Sequence, residues 1–438
     1  MRKLVFYIFC TLSTLTFSQQ FDEWEIDTAW ISKYDFIRWG DTVQFKKFKE
    51  STTLDPIIEK LERIQSGESL HLNFYHIGGS HIQADVYSNF IRSYLLNVYP
   101  GCGGNRGFVF PYKTANTNNP FNYKATPLGE WEGGRCSVFK DTLLWGLSGV
   151  TGGTKDSIAG IEFDLDRKDI YHFESDTVKI YYKDWDSVYT WRSKDSNFKI
   201  VEYIRGDFET LIFGSEEPKE LIDLEVIKHD TGTYRPIQVL GFEFTSGAPG
   251  VTYNSIGANG ASFTSYTRCE LFYPMLQRMP PDVFIMSVGT NDAYMKPSKY
   301  DSLKYATNLT NMMDSILLIN PSCAFILTVP NDSYYRRKYK NPNTIQQEKA
   351  ILAIAEKYNS VVWDFFEIMG GLGSAQKWYE NKLMPYDRIH FTRQGYRIKA
   401  NLFIEAFEKY RIDYLKRKDE QRSENHLPDQ DDLHSEKN

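Results

Sequence analysis

A chain of 438 residues exceeds the roughly 250 to 300 at which a single hydrophobic core stops growing, so more than one domain is expected. Hydrophobic residues at 41%, charged residues at 25% and a net charge of -6 describe a globular protein, and the absence of a patterned basic surface excludes a nucleic-acid binder. The aromatic share of 15% suits strands that fill a β-sandwich core or, less commonly, a carbohydrate-facing surface.

The chain opens with "MRKLVFYIFCTLSTLTFSQQ", a basic start, an apolar stretch from Leu4 to Phe17, and a small residue, Ser18. That pattern predicts a signal peptide over 1–18 and an exported protein, periplasmic or at the cell surface. Phe9 precedes Cys10 where a lipoprotein signal needs a small residue, so no lipid anchor is expected. No later segment approaches about 18 uninterrupted apolar residues, which predicts no membrane span. Export places Cys102, Cys136, Cys269 and Cys323 in an oxidising space, with Cys102 and Cys136 as one candidate pair; the connectivity stays open. Their spacing fits no zinc pattern and HExxH is absent, so no metal is expected.

"LHLNFYHIGG" (70–79) reads as a buried strand ending at a glycine pair. "HIQADVYSNFIRSYLL" follows with apolar residues at helical spacing. Ser80 therefore falls between the C-terminal end of a strand and the start of a helix, the sheet edge at which open α/β folds bind ligands. From about 103 to 245 the text changes to short alternating runs such as "IEFDLD", "DTVKIYY", "NFKIVEYI", "LIDLEVI" and "IQVLGFEF", which predict an inserted all-β sandwich. Strand and helix patterns then alternate: "VFIMSVG" (283–289), a helix over 302–318, "AFILTVP" (324–330), a helix capped by Thr344 and Gln347, "SVVWDFF" (360–366), and a last helix over 392–410. This predicts a parallel sheet covered on both faces, built from 19–102 and 246–412. The charged tail 413–438 is expected to be disordered.

A serine hydroxyl becomes a nucleophile when a base takes its proton and an anion orients that base. "YDRIHFTRQGY" supplies His390 with Asp387 three residues before it, a spacing that lets the carboxylate reach one ring nitrogen. The negative oxygen of an acyl-transfer transition state needs fixed donors. "NSIGANGAS" (254–262) offers the Gly260 N–H, and "SVGTNDAY" (287–294) the Asn291 amide, with a helix-capping role for Asp292 as the bland alternative. His76 reads as a strand-end residue and His81 as a first-turn helix residue, with Asp85 one turn on and able to bond His81; none is expected to act directly.

Ser80, Gly260, Asn291, then Asp387 and His390, in that order, resembles the SGNH (GDSL-like) hydrolase superfamily. The resemblance implies a three-layer α/β/α fold, a Ser80–His390–Asp387 triad, and an oxyanion hole from Ser80, Gly260 and Asn291, with no cofactor. The family carries Asp where this chain has Gly79; that Asp is not a triad member. The GxSxG elbow of α/β-hydrolases is absent. "GGSHIQAD" together with the β insert is similar to the peptidoglycan O-acetylesterases, which implies an acetylated glycan as partner and removal of acetyl from the C6 hydroxyl of muramic acid. Acyl transfer to a sugar, an esterase on another polysaccharide, and a catalytically dead glycan-binding protein are the competing readings.

Overall fold

A computed structural model describes residues 26–48, 52–99, 102–166 and 171–424; the expected signal peptide lies outside them. Six parallel strands form the central sheet, in the spatial order Val361–Trp363, Ala324–Thr328, Val283–Ser287, His71–Gly78, Gly250–Gly257, Gly104–Asn105. Successive side chains on a strand point to opposite faces, so a strand buried on both sides reads as continuously apolar. Phe74, Ile285, Ile326 and Trp363 accordingly pack into one core. Tyr75, Phe284, Phe325 and Val362 pack into the other. Helices Asp55–Gln65, Tyr87–Val98 and Arg393–Glu424 cover the first face, and Ser302–Ile319 and Asn343–Lys357 the second. The result is a three-layer α/β/α body.

The insert folds as two antiparallel sheets, one of seven strands and one of four. They close on each other through Phe163 and Trp191 of the smaller sheet against Phe242 of the larger, with ring centroids 4.7 and 6.0 Å apart. The chain passes from one body to the other at Arg106. Gly104–Asn105 extends the parallel sheet beside Gly250–Gly257, whereas Gly107–Val109 pairs with Ile237–Thr245 of the sandwich.

Several local expectations need correction. The helical run after Ser80 is broken into Ser80–Gln83 and Tyr87–Val98, because Asp85 takes a left-handed φ of 46°. Its carboxylate does not meet His81; it is buried against Arg92 at 3.1 Å and Arg106 at 3.3 Å. Thr344 and Gln347 make no cap: both are buried, and the Gln347 amide donates to Gly289 O at 2.8 Å. "SVVWDFF" is a strand only over Val361–Trp363, since Asp364 caps a short helix, Phe365–Ile368.

The last helix runs past 413 to Glu424 instead of dissolving into a tail. Polar contacts hold it there where apolar ones are sparse: Arg417 grips Asp55 with two nitrogens at 2.8 and 2.9 Å, and Lys418 pairs with Glu59 at 2.9 Å. Residues 425–438 lie outside the described part. Cys102, Cys136, Cys269 and Cys323 are all free and buried, and Cys136 lies against Cys269, not Cys102.

Candidate active site

Ser80 begins a four-residue helix directly after the central strand His71–Gly78, with Gly79 as its cap. As the first helical residue, its N–H has no partner within the helix. Ser80 Oγ lies 2.8 Å from His390 Nε2, and His390 Nδ1 lies 2.8 Å from Asp387 Oδ2. Burial opposes ionisation of Asp387, but the His390 ring and the N–H groups of Ile389 and His390 hold its carboxyl below the usual value. An ionised carboxylate only accepts, so Nδ1 carries the hydrogen and Nε2 is left to accept the Ser80 hydroxyl proton. The row faces solvent, with 40% of the His390 side chain exposed.

Two further donors stand at the same edge. Gly260 follows the strand Gly250–Gly257 with φ +80°, the left-handed region that glycine enters without steric cost, and its missing side chain leaves the approach to the loop open. Asn291, in the helix Thr290–Ala293 at the end of strand Val283–Ser287, donates one amide hydrogen to Ala261 O at 2.9 Å. The second amide hydrogen remains for another acceptor. A Cβ at Gly79 would stand 2.9 Å from Asn291 Nδ2, so glycine is what lets the amide come this close to the serine turn.

The Gly260 loop is held from both bodies. Gln83 Oε1 accepts from Asn259 N–H at 2.6 Å, and the Ser137 hydroxyl of the insert donates to Asn259 O at 2.7 Å. Thr117, also of the insert, accepts from the amides of Gln83 and Asn259, both at 3.1 Å. Asp292 does not cap its own helix. It accepts from Phe263 N–H at 3.2 Å, joining the Asn291 helix to the next helix after the Gly260 loop. Burial pushes its carboxyl up to about 7, against that hydrogen bond.

His76 and His81 stay out of the hydrogen-bonded row. His76 is fully buried, with Nδ1 2.7 Å from the Tyr253 hydroxyl and Nε2 2.7 Å from Ser287 Oγ. His81 lies 2.9 Å from the Tyr396 hydroxyl, its ring centroid 5.2 Å from that of His390. Sequence reasoning passed over Gln83, Ser137 and Tyr396. Gln83 sits one helical turn from Ser80, which is the signal that could have found it; the other two are neighbours only through long-range folding.

Residues 232–398 match the model of the GDSL-like Lipase/Acylhydrolase family. The match contains Gly260, Asn291, Asp387 and His390, while Ser80 lies before the insert. No curated protein matches the chain. Among solved structures, the chain is similar to a peptidoglycan O-acetylesterase with 18% identity and a TM-score of 0.70, over 84% of this chain and 99% of that one. The acetyl xylan esterase AlAXEase aligns over 36% of this chain and 80% of its own, at 19% identity and TM-score 0.28. A carbohydrate esterase family 3 protein from Talaromyces cellulolyticus aligns over 38% and 73%, at 16% identity and TM-score 0.29.

Proposed function

We propose that the chain is an exported serine esterase that removes O-acetyl groups from a glycan, with peptidoglycan acetylated at the C6 hydroxyl of muramic acid as substrate. A carboxylic ester hydrolase of the GDSL-like kind is what the family match and the fold support. The observation that carries the reading is the hydrogen-bonded row Ser80–His390–Asp387 at the carboxyl edge of the sheet. The glycan as substrate draws on the likeness in fold to the peptidoglycan O-acetylesterase.

In this reading Ser80 Oγ attacks the acetyl carbonyl while His390 Nε2 takes the hydroxyl proton. The oxyanion is met by the N–H groups of Ser80 and Gly260 and by the Asn291 amide, donors worth about 3 to 4 kcal/mol each in such sites. His390 then gives its proton to the departing sugar oxygen, and the alcohol leaves. Water attacks the acetyl-serine, again losing its proton to His390, which passes it to Ser80 Oγ as the acyl–oxygen bond breaks and acetate is released. Asp387 fixes the imidazole and stabilises its charged form throughout.

The test is acetate release from O-acetylated peptidoglycan and p-nitrophenyl acetate by wild type and Ser80→Ala. Loss of both activities by about a thousandfold or more supports the reading. Equal rates would remove Ser80 from it. Acetyl transfer to an added glycan acceptor in place of acetate release would assign the same acyl-serine to a transferase.

A further inference from the structure

We infer that Ser137, on the inserted sandwich, is a positioning residue for the esterase reaction: its hydroxyl holds the Asn259–Gly260 peptide in the one of two orientations that turns the Gly260 N–H to the oxyanion. The inference rests on the esterase reading and makes the insert a working part of the active site.

Residues Ala258–Ala261 form a β-turn, closed by Ala261 N–H donating to Ala258 O at 2.9 Å. Gly260, its third residue, has φ +80°, while Asn259, its second, stays out of the left-handed region, which makes the turn type II. Types I and II differ by a flip of about 180° in the central peptide, here the one that joins Asn259 to Gly260. Glycine accommodates either form, so the choice falls to whatever touches that peptide.

The carbonyl oxygen and the amide hydrogen of a trans peptide point to opposite sides of the chain. Asn259 O accepts the Ser137 hydroxyl at 2.7 Å, and Ser137 Oγ stands 3.5 Å from where a Gly260 Cβ would be. With the carbonyl drawn to the insert, the Gly260 N–H is turned the other way. A flipped peptide would lose the Ser137 bond and bury its N–H donor against the insert. The same bond polarises the peptide and strengthens the N–H as a donor.

Hydrogen bonding singles out this N–H. Asn259 N–H is engaged by Gln83 Oε1 and Ala261 N–H by the turn, whereas among the described residues nothing accepts from Gly260 N–H. The Ser80 N–H likewise has no acceptor among them. The two turns lie side by side: a Cβ on Gly79, the residue before Ser80, would stand 3.4 Å from Ala261 O and 3.8 Å from Ala258 O.

Ser137 is itself held in place. Arg268, just past the helix Phe263–Tyr266 of the hydrolase body, donates to the carbonyls of Cys136, Val138, Phe139 and Asp141, wrapping the loop that bears the serine. A planar guanidinium that gathers four carbonyls of one loop makes that loop a rigid support.

The test uses p-nitrophenyl acetate, an ester with no glycan, so that lost glycan binding by the insert cannot mimic the effect. Ser137→Ala should lower kcat and kcat/KM together by about tenfold to a hundredfold, as expected for a misplaced transition-state donor. Ser137→Thr keeps the hydroxyl and should keep most of the rate. In a Gly260→Ala background, where the positive φ is already disfavoured, Ser137→Ala should cost much less, because both changes act on one peptide. Should the alanine variant not fold, Ser137→Cys, close in shape and feeble as a donor, carries the same expectation. Wild-type kcat in Ser137→Ala even at a lowered melting temperature, an equal loss in Ser137→Thr, or full additivity with Gly260→Ala would overturn the inference and leave an esterase. Ser80→Ala as fast as wild type would instead overturn the esterase reading itself.

Discussion

The side-chain oxygen of Gln83 accepts the N–H of Asn259 at 2.6 Å, which ties the helix that begins with Ser80 to the loop that holds Gly260. Two donors to one developing oxyanion must keep a fixed separation, and this bond spans the gap between the elements that carry them. Gln83→Ala should therefore lower kcat for p-nitrophenyl acetate on the order of tenfold to a hundredfold, the cost of a misplacement of about 1 Å. Circular dichroism should change little, the melting temperature should fall by a few degrees because the partners of a buried amide are left unpaired, and a kcat equal to wild type would show that the loop holds its place without Gln83.

Gly79 makes a sharper prediction. A methyl group there reaches to 2.9 Å of Asn291 Nδ2, a distance real side chains do not tolerate, so Gly79→Ala has to push the amide away. The expected loss in kcat is smaller than that of Asn291→Ala, for which removal of an oxyanion donor costs about a hundredfold to a thousandfold. In the double variant the two losses should not add, because both act on one amide. Additive losses would place the Gly79 effect elsewhere.

Asp292 sets a pH dependence. Its carboxyl rises to about 7 on folding because burial disfavours the charge, so the folded chain holds a proton that the unfolded chain releases near pH 4. The stability this group contributes is thus complete below that lower value and is lost as pH rises through about 7. Asp292→Asn keeps an acceptor for Phe263 N–H without the titration. Its melting temperature should exceed that of wild type at pH 8, and the gap should narrow steadily down to about pH 4. A constant difference across that range would mean that Asp292 is ionised throughout.

The four thiols among the described residues should be silent in the native protein. Cys102, Cys136, Cys269 and Cys323 are free and buried, and burial pushes the Cys102 thiol up to about 12. Since the thiolate is the reactive form, an aromatic disulfide reagent at pH 8 should label none of the four within minutes and all four once guanidinium unfolds the chain. Rapid labelling of native protein at any of them, found by peptide mapping, would contradict the packing.

Much of the layout was legible because the sequence carried it locally. Apolar runs over 70–79, 283–289 and 324–330 could only be strands buried on both faces, and the Asp387–His390 spacing needs just one turn to close. What escaped notice depended on distant partners. Nothing in "HIQADV" announces that Asp85 will break the helix, since Arg92 and Arg106 reward its left-handed backbone only after folding. The strand Gly250–Gly257 carries no continuous apolar run, its glycines and asparagine being residues common in turns; pairing with His71–Gly78 and the bond from the Asn254 amide to Phe74 O set it in the sheet. The extra turns of the final helix were hidden for the same reason, their support being salt bridges to residues 55 and 59.

The serine strand His71–Gly78 lies between two strands, Gly250–Gly257 and Val283–Ser287, that both follow the insert. During synthesis it emerges early and has to wait, unpaired on both edges, while the ribosome makes the entire sandwich. Contacts so remote in sequence close slowly, and a bare apolar strand invites aggregation in the interval. Early folding of the sandwich would shorten the effective loop, so the insert can double as an internal aid to maturation. The nucleophile meets its base only when nearly the whole chain has been delivered, and a truncated product would be inert.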